Sequence, residues 1–107
     1  MIKVEYDRNF HKVTVEGHAL SGEAGHDLVC AAASILVHTL AASVSNMQEH
    51  EHLRDSVIEV NEGKAVIKCR PQTQFRAVVA IIFDNICGGF ELLSDKYPEN
   101  ISYKIVI

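Results

Sequence analysis

The chain has 107 residues, 48% of them apolar, which suits one domain with one packed core and is too short for two. Ten basic residues against 14 acidic ones leave a formal net charge of −4. That balance argues against a binder that grips nucleic acid by bulk charge and fits a basic partner better. Three cysteines, Cys30, Cys69 and Cys87, form no CxxC and no paired spacing. They are read as reduced thiols of a soluble cytoplasmic protein, with neither a disulfide framework nor a zinc ribbon.

In chain order, Ile2, Val4 and Tyr6 alternate with Lys3, Glu5 and Asp7. This is the period of a half-buried strand, and it lacks the apolar run of a secretion signal. A hairpin around Asp7-Arg8-Asn9 leads to a second strand, Phe10 to Glu16, with Val13 and Val15 on one face. Ser21 to Gly25, SGEAG, reads as a loop. From Leu28 to Met47 the run is rich in helix formers and nearly free of charge, which predicts a helix buried on most of its circumference, in a core or against a second subunit. No apolar run is expected to reach the roughly 20 residues that span a bilayer.

A polar linker follows, in which Glu49-His50-Glu51-His52 reads as a solvated face more readily than as a metal site, so no metal ion or cofactor is expected. Two further strands alternate around Asn61-Glu62-Gly63, with Gly63 at the left-handed position of a turn. Beyond Pro71, residues Phe75, Val78, Val79, Ile82, Ile86, Phe90 and Leu93 recur at helical spacing. Gly88-Gly89 inside that helix marks either a close helix-helix approach or an early end. Pro98 stops the segment, and ISYKIVI closes the chain as a strand. The order is ββαββαβ: a two-layer α/β domain over residues 1–107, a mixed sheet with two helices packed on one face.

Chemistry concentrates in GHALSGEAGHDLVCAAAS, residues 17–34, where a His leaves a strand, a glycine-rich loop follows and a Cys enters a helix. With Asp27 as N-cap, Cys30 is the third helical residue, inside the turn where unsatisfied N–H groups and the helix dipole favour a thiolate. His18 is the natural imidazole to pair with it. The plain alternative is a small packed Cys on an alanine-rich helix, and spacing alone does not choose between the two. Cys69 and Cys87 read as core thiols.

The same eighteen residues resemble the signature of the ribosomal-processing cysteine protease family: Gly-His-Ala, Gly-x-Asp, then Val-Cys-Ala with a Ser four residues after the Cys. A late Tyr-Pro-Glu-Asn-Ile segment agrees with the family as well. The resemblance implies a cysteine peptidase that removes a short N-terminal extension, after an aromatic pair, from the twenty-seventh protein of the large ribosomal subunit. It implies Cys30 as nucleophile and His18 as acid and base. It places Asp27 beside them as cap or orienting acid, Ser34 one turn beyond the Cys, and Gly22 and Gly25 in a loop that opens to admit peptide. A homodimer is expected from the charge-poor helix and from the resemblance together, with no membrane and no direct nucleic-acid contact. The competing functions are a non-enzymatic ribosome-associated peptide-binding module and a thiol redox sensor in which Cys30 pairs with Cys69 or Cys87.

Overall fold

The computed structural model describes residues 1–17 and 26–106, with His26 and Asp27 described by backbone alone. Five strands and two helices follow the expected order: β1 (Ile2–Asp7), β2 (Lys12–Glu16), α1 (His26–Glu49), β3 (Leu53–Asn61), β4 (Lys64–Pro71), α2 (Arg76–Lys96) and β5 (Ile101–Val106). A 3-10 turn, Thr73–Phe75, precedes α2. The strands lie in the order β3-β4-β2-β1-β5, antiparallel throughout except for the parallel pair β1 and β5.

Alternation decides which face is covered. Ile2, Val4 and Tyr6 of β1, Val13 and Val15 of β2, and Ala65, Ile67 and Cys69 of β4 point into the core, while Lys3, Glu5, Lys12 and Lys68 remain outside. Onto the apolar face α1 lays Val29, Ala33, Val37, Leu40, Val44 and Met47, and α2 lays Val79, Phe83, Cys87 and Phe90. These spacings of three and four are one stripe of a helix. Tyr6 is wholly buried, stacks on Phe83 and donates its hydroxyl to Asp84 Oδ1 at 2.9 Å, which ties α2 to the middle of the sheet.

Several boundaries differ from the sequence reading, each for a local reason. β2 starts at Lys12 and not at Phe10, because His11 takes φ 47° and interrupts the extended backbone. Asp7 Oδ1 accepts the N–H groups of Asn9 and Phe10 at 3.2 and 3.3 Å, which extends the turn. α1 continues to Glu49, then ends in a Schellman arrangement in which His52 N–H reaches Met47 O and Glu51 N–H reaches Gln48 O, with Glu51 at φ 62°. Its burial is one stripe and not most of its circumference: Leu28 and Ile35 are exposed on the outer side. In α2 the buried stripe runs through Phe83 and Cys87, and Val78 points outward.

The glycine pair is resolved in favour of close approach. α2 continues past it to Lys96, and a Cβ on Gly89 would sit 2.7 Å from Leu36 of α1, whereas one on Gly88 would meet nothing within 4 Å. The expectation that no segment suits a bilayer is also corrected. By length and composition both Leu28–Glu49 and Thr73–Lys96 are long and apolar enough to cross one. Each turns its inner stripe onto the sheet, which is why a core helix passes the same test.

Candidate active site

Gly17 follows the last residue of β2. Its φ is 97°, its N–H donates to Gly63 O at 2.9 Å, and a Cβ there would fall 2.3 Å from Met1 O. Only glycine meets both conditions. Gly63, at φ 81°, forms the β3–β4 turn as expected, so two left-handed glycines hold the end of β2 against that turn.

On the other side stands α1. It is already helical at His26, so Asp27 lies inside the first turn and does not precede it, and the N-cap assignment is corrected. An acidic residue in a first turn complements the positive end of the helix there. Cys30 is the fifth residue of α1, one turn beyond His26.

A groove of about 150 Å³ runs between α1 and the β3–β4 turn. Cys30, Ser34 and His38 line one wall, Asn61 and Lys64 the other, and Val15 and Ala65 lie between them. Cys30 is half-buried and packs against the core, while Ser34 and His38 are exposed. The structure therefore brings Cys30 and Ser34 to one surface, as their four-residue spacing requires. His18, Gly22 and Gly25, and the side chain of Asp27, lie outside the described residues.

The sequence reading gave His38 no role, although Cys30, Ser34 and His38 are spaced by four and share a helix face. A rise of 1.5 Å per residue sets His38 about 12 Å along the axis from Cys30, too far to exchange a proton with its thiol directly. Asn61 and Lys64 carried no local signal either. They reach the groove because β4 pairs with β2, and Lys64 there forms an ion pair with Glu16 at 3.3 Å.

Cys69 and Cys87 are buried, at 2% and 1% exposure, with Cys69 behind a cavity at the far end of β4. Burial, with smaller help from Asp55 and Asp84 respectively, pushes their thiols up to about 11 and about 12. Four residues of β4 separate Ala65 at the groove from Cys69, about 13 Å of strand, which exceeds disulfide reach for a thiol beside Ala65. The linker histidines have structural contacts: a His50 ring nitrogen lies 2.8 Å from Asn46 O, and His52 stacks on Phe75 at 4.0 Å. Among the described residues no three His, Cys, Asp or Glu side chains group as a metal site.

The sequence matches the family model of the cysteine protease Prp over residues 1–102. The chain belongs to that family. It is therefore a cysteine-type peptidase. A crystal structure of the essential ribosomal processing protease Prp from S. aureus with a covalently linked product peptide is 27% identical and superposes with a TM-score of 0.71, covering 99% of this chain and 100% of that one. A second structure of the S. aureus Prp, with a substrate peptide, is 24% identical at TM-score 0.69, covering 98% of this chain and 97% of that one. SMU.848 from Streptococcus mutans shares the fold at 24% identity and TM-score 0.61, covering 98% and 91%. No curated protein matches the chain. The mixed sheet with two helices on one face is thus the Prp fold.

Proposed function

We propose that this peptidase removes the N-terminal extension of the twenty-seventh large-subunit ribosomal protein, after an aromatic pair, through a dyad of Cys30 and His18. One observation carries the assignment of the nucleophile: of the three thiols, Cys30 alone is part-exposed and lies in the groove beside α1, while Cys69 and Cys87 are buried. The S. aureus Prp, which holds a covalently linked product peptide, supports an acyl-enzyme route.

The Cys30 thiolate attacks the scissile carbonyl, and N–H groups at the start of α1 stabilise the oxyanion. The C–N bond then breaks, protonated His18 supplies the amine's proton, and a thioester remains. Water, deprotonated by His18, hydrolyses it. The His18 imidazolium stabilises the thiolate by direct charge interaction. Ser34 borders the groove beyond the thiol and contacts peptide there, the Asp27 carboxylate stabilises the start of α1 by complementing its positive end, and Gly22 and Gly25 let the intervening loop admit the substrate.

The client is a basic RNA-binding protein, in keeping with the net charge of −4 here. The same reading has the protein act in the cytoplasm as a homodimer. Alkylation by iodoacetamide across pH tests the dyad. Cys30 is expected to react well below the pH at which an ordinary thiol does, and His18→Ala is expected to move that profile up toward the ordinary thiol value. A Cys30 profile that His18→Ala leaves unchanged would remove His18 from the dyad.

A further inference from the structure

A second cavity, of about 330 Å³, opens at the end of the sheet away from the Cys30 groove, between the β1–β2 turn and the start of α2. Three of the chain's four arginines, Arg54, Arg70 and Arg76, line it together with His11, Phe10 and Thr73, and no carboxylate does. That concentration stands out in a chain of net charge −4. Arg70 is neutralised by an ion pair with Asp55, its Nε donating to Oδ2 at 2.8 Å. Arg54 makes only a long hydrogen bond to Thr73 Oγ1, at 3.4 Å, and among the described residues no carboxylate pairs with Arg54 or Arg76. Two guanidinium charges therefore face one cavity uncompensated.

α2 starts at Arg76 directly after the 3-10 turn, whose Thr73 carbonyl accepts the Arg76 N–H, and it carries no acidic residue in its first turn that would offset the guanidinium charges. Across the cavity, Asp7 fixes the turn that carries Phe10 and His11. That turn holds His11 in the left-handed region and leaves Phe10 71% exposed, an aromatic face without a core contact. Burial first, and the Arg76 guanidinium second, hold the His11 imidazole below its ordinary value, so it is neutral at pH 7 with one ring nitrogen to donate and one to accept.

We propose that this cavity binds a small organic phosphate, with Arg54 and Arg76 on the phosphate and its aromatic part laid against Phe10. A phosphate monoester carries about −1.5 to −2 charges at neutral pH, which matches two unpaired guanidinium groups where a single carboxylate does not. The size lies at the lower end of small-ligand pockets. A nucleic-acid strand does not fit the charge pattern, because the net charge is −4 and the adjoining patch interrupts its basic side chains with Asp7 and the Arg70–Asp55 ion pair.

Adenosine monophosphate and inorganic phosphate, each titrated calorimetrically at low ionic strength into the full chain, test the assignment. The monophosphate is expected to bind more tightly than phosphate. Arg54→Ala and Arg76→Ala are each expected to weaken it by about tenfold, and Phe10→Ala to bring it down to the level of phosphate. No heat of binding at millimolar adenosine monophosphate, equal affinity for the two ligands, or unchanged affinity in both arginine variants would each overturn the proposal. Circular dichroism verifies folding, and Arg54→Gln, which keeps part of the stem, replaces Arg54→Ala if the latter does not fold.

Discussion

At Gly17 two independent demands meet in one residue, a φ of 97° and a backbone carbonyl standing where a Cβ would go. Neither yields by a side-chain movement, so Gly17→Ala is expected to cost at least about 2 kcal/mol, read from the shift of the urea midpoint. Because His18 follows Gly17 in the chain, the proposed dyad predicts that the same substitution slows Cys30 alkylation in whatever protein remains folded. The buried thiols predict a pH effect of definite sign. Cys69 and Cys87 keep their protons in the folded chain up to about 11 and about 12, whereas unfolded thiols release theirs near 9.0. The stabilisation they bring is therefore complete below pH 9.0 and is lost as pH rises from there toward 12. Urea unfolding on both sides of pH 9.0 should show a steeper alkaline loss for the wild-type chain than for the Cys69→Ala, Cys87→Ala double variant. A loss equal in both would place its origin in other groups.

Among the elements, α2 offers a controlled comparison between adjacent residues. Gly88 has open space where a Cβ would stand, and Gly89 has Leu36 of α1 at 2.7 Å. Gly88→Ala is expected to stabilise by roughly 0.5 to 1 kcal/mol, the usual gain for alanine over glycine inside a helix. Gly89→Ala gains the same propensity but must displace Leu36, so its thermal midpoint should fall below that of Gly88→Ala. The pair shows how far the sequence could be read. Its two glycines pointed to a close approach or a helix end, and only the packing of α1 on α2 chose the first and assigned it to Gly89. Local pattern likewise identified every strand and helix, since each depends on periodicity within a few residues. The stripe of α2 was less legible, because the sheet beneath it, and not the helix itself, decides that Phe83 and Cys87 turn inward and Val78 outward. At the candidate site, Cys30 and Ser34 were legible from one helical turn. Asn61 and Lys64 were not, because they arrive through the pairing of β4 with β2, a contact between segments about fifty residues apart.

For the molecule as a whole, the outer side of the helical layer remains apolar: Leu28 and Ile35 on α1 and Ile81 and Leu92 on α2 are each more than half exposed. The proposed homodimer would cover that surface, so Ile35→Glu, at a position 66% exposed, is expected to give monomers without loss of fold. Sedimentation of the wild-type chain that shows monomers at every concentration would contradict the dimer. The peptidase assignment needs no dimer to be tested. Its most direct test is mass spectrometry of the extended ribosomal protein after incubation with the wild-type chain, with Cys30→Ala and with His18→Ala. Loss of the extension, after the aromatic pair, is expected with the wild type alone. An extension removed equally well by Cys30→Ala, or left intact by a wild-type chain whose Cys30 alkylates readily, would contradict it.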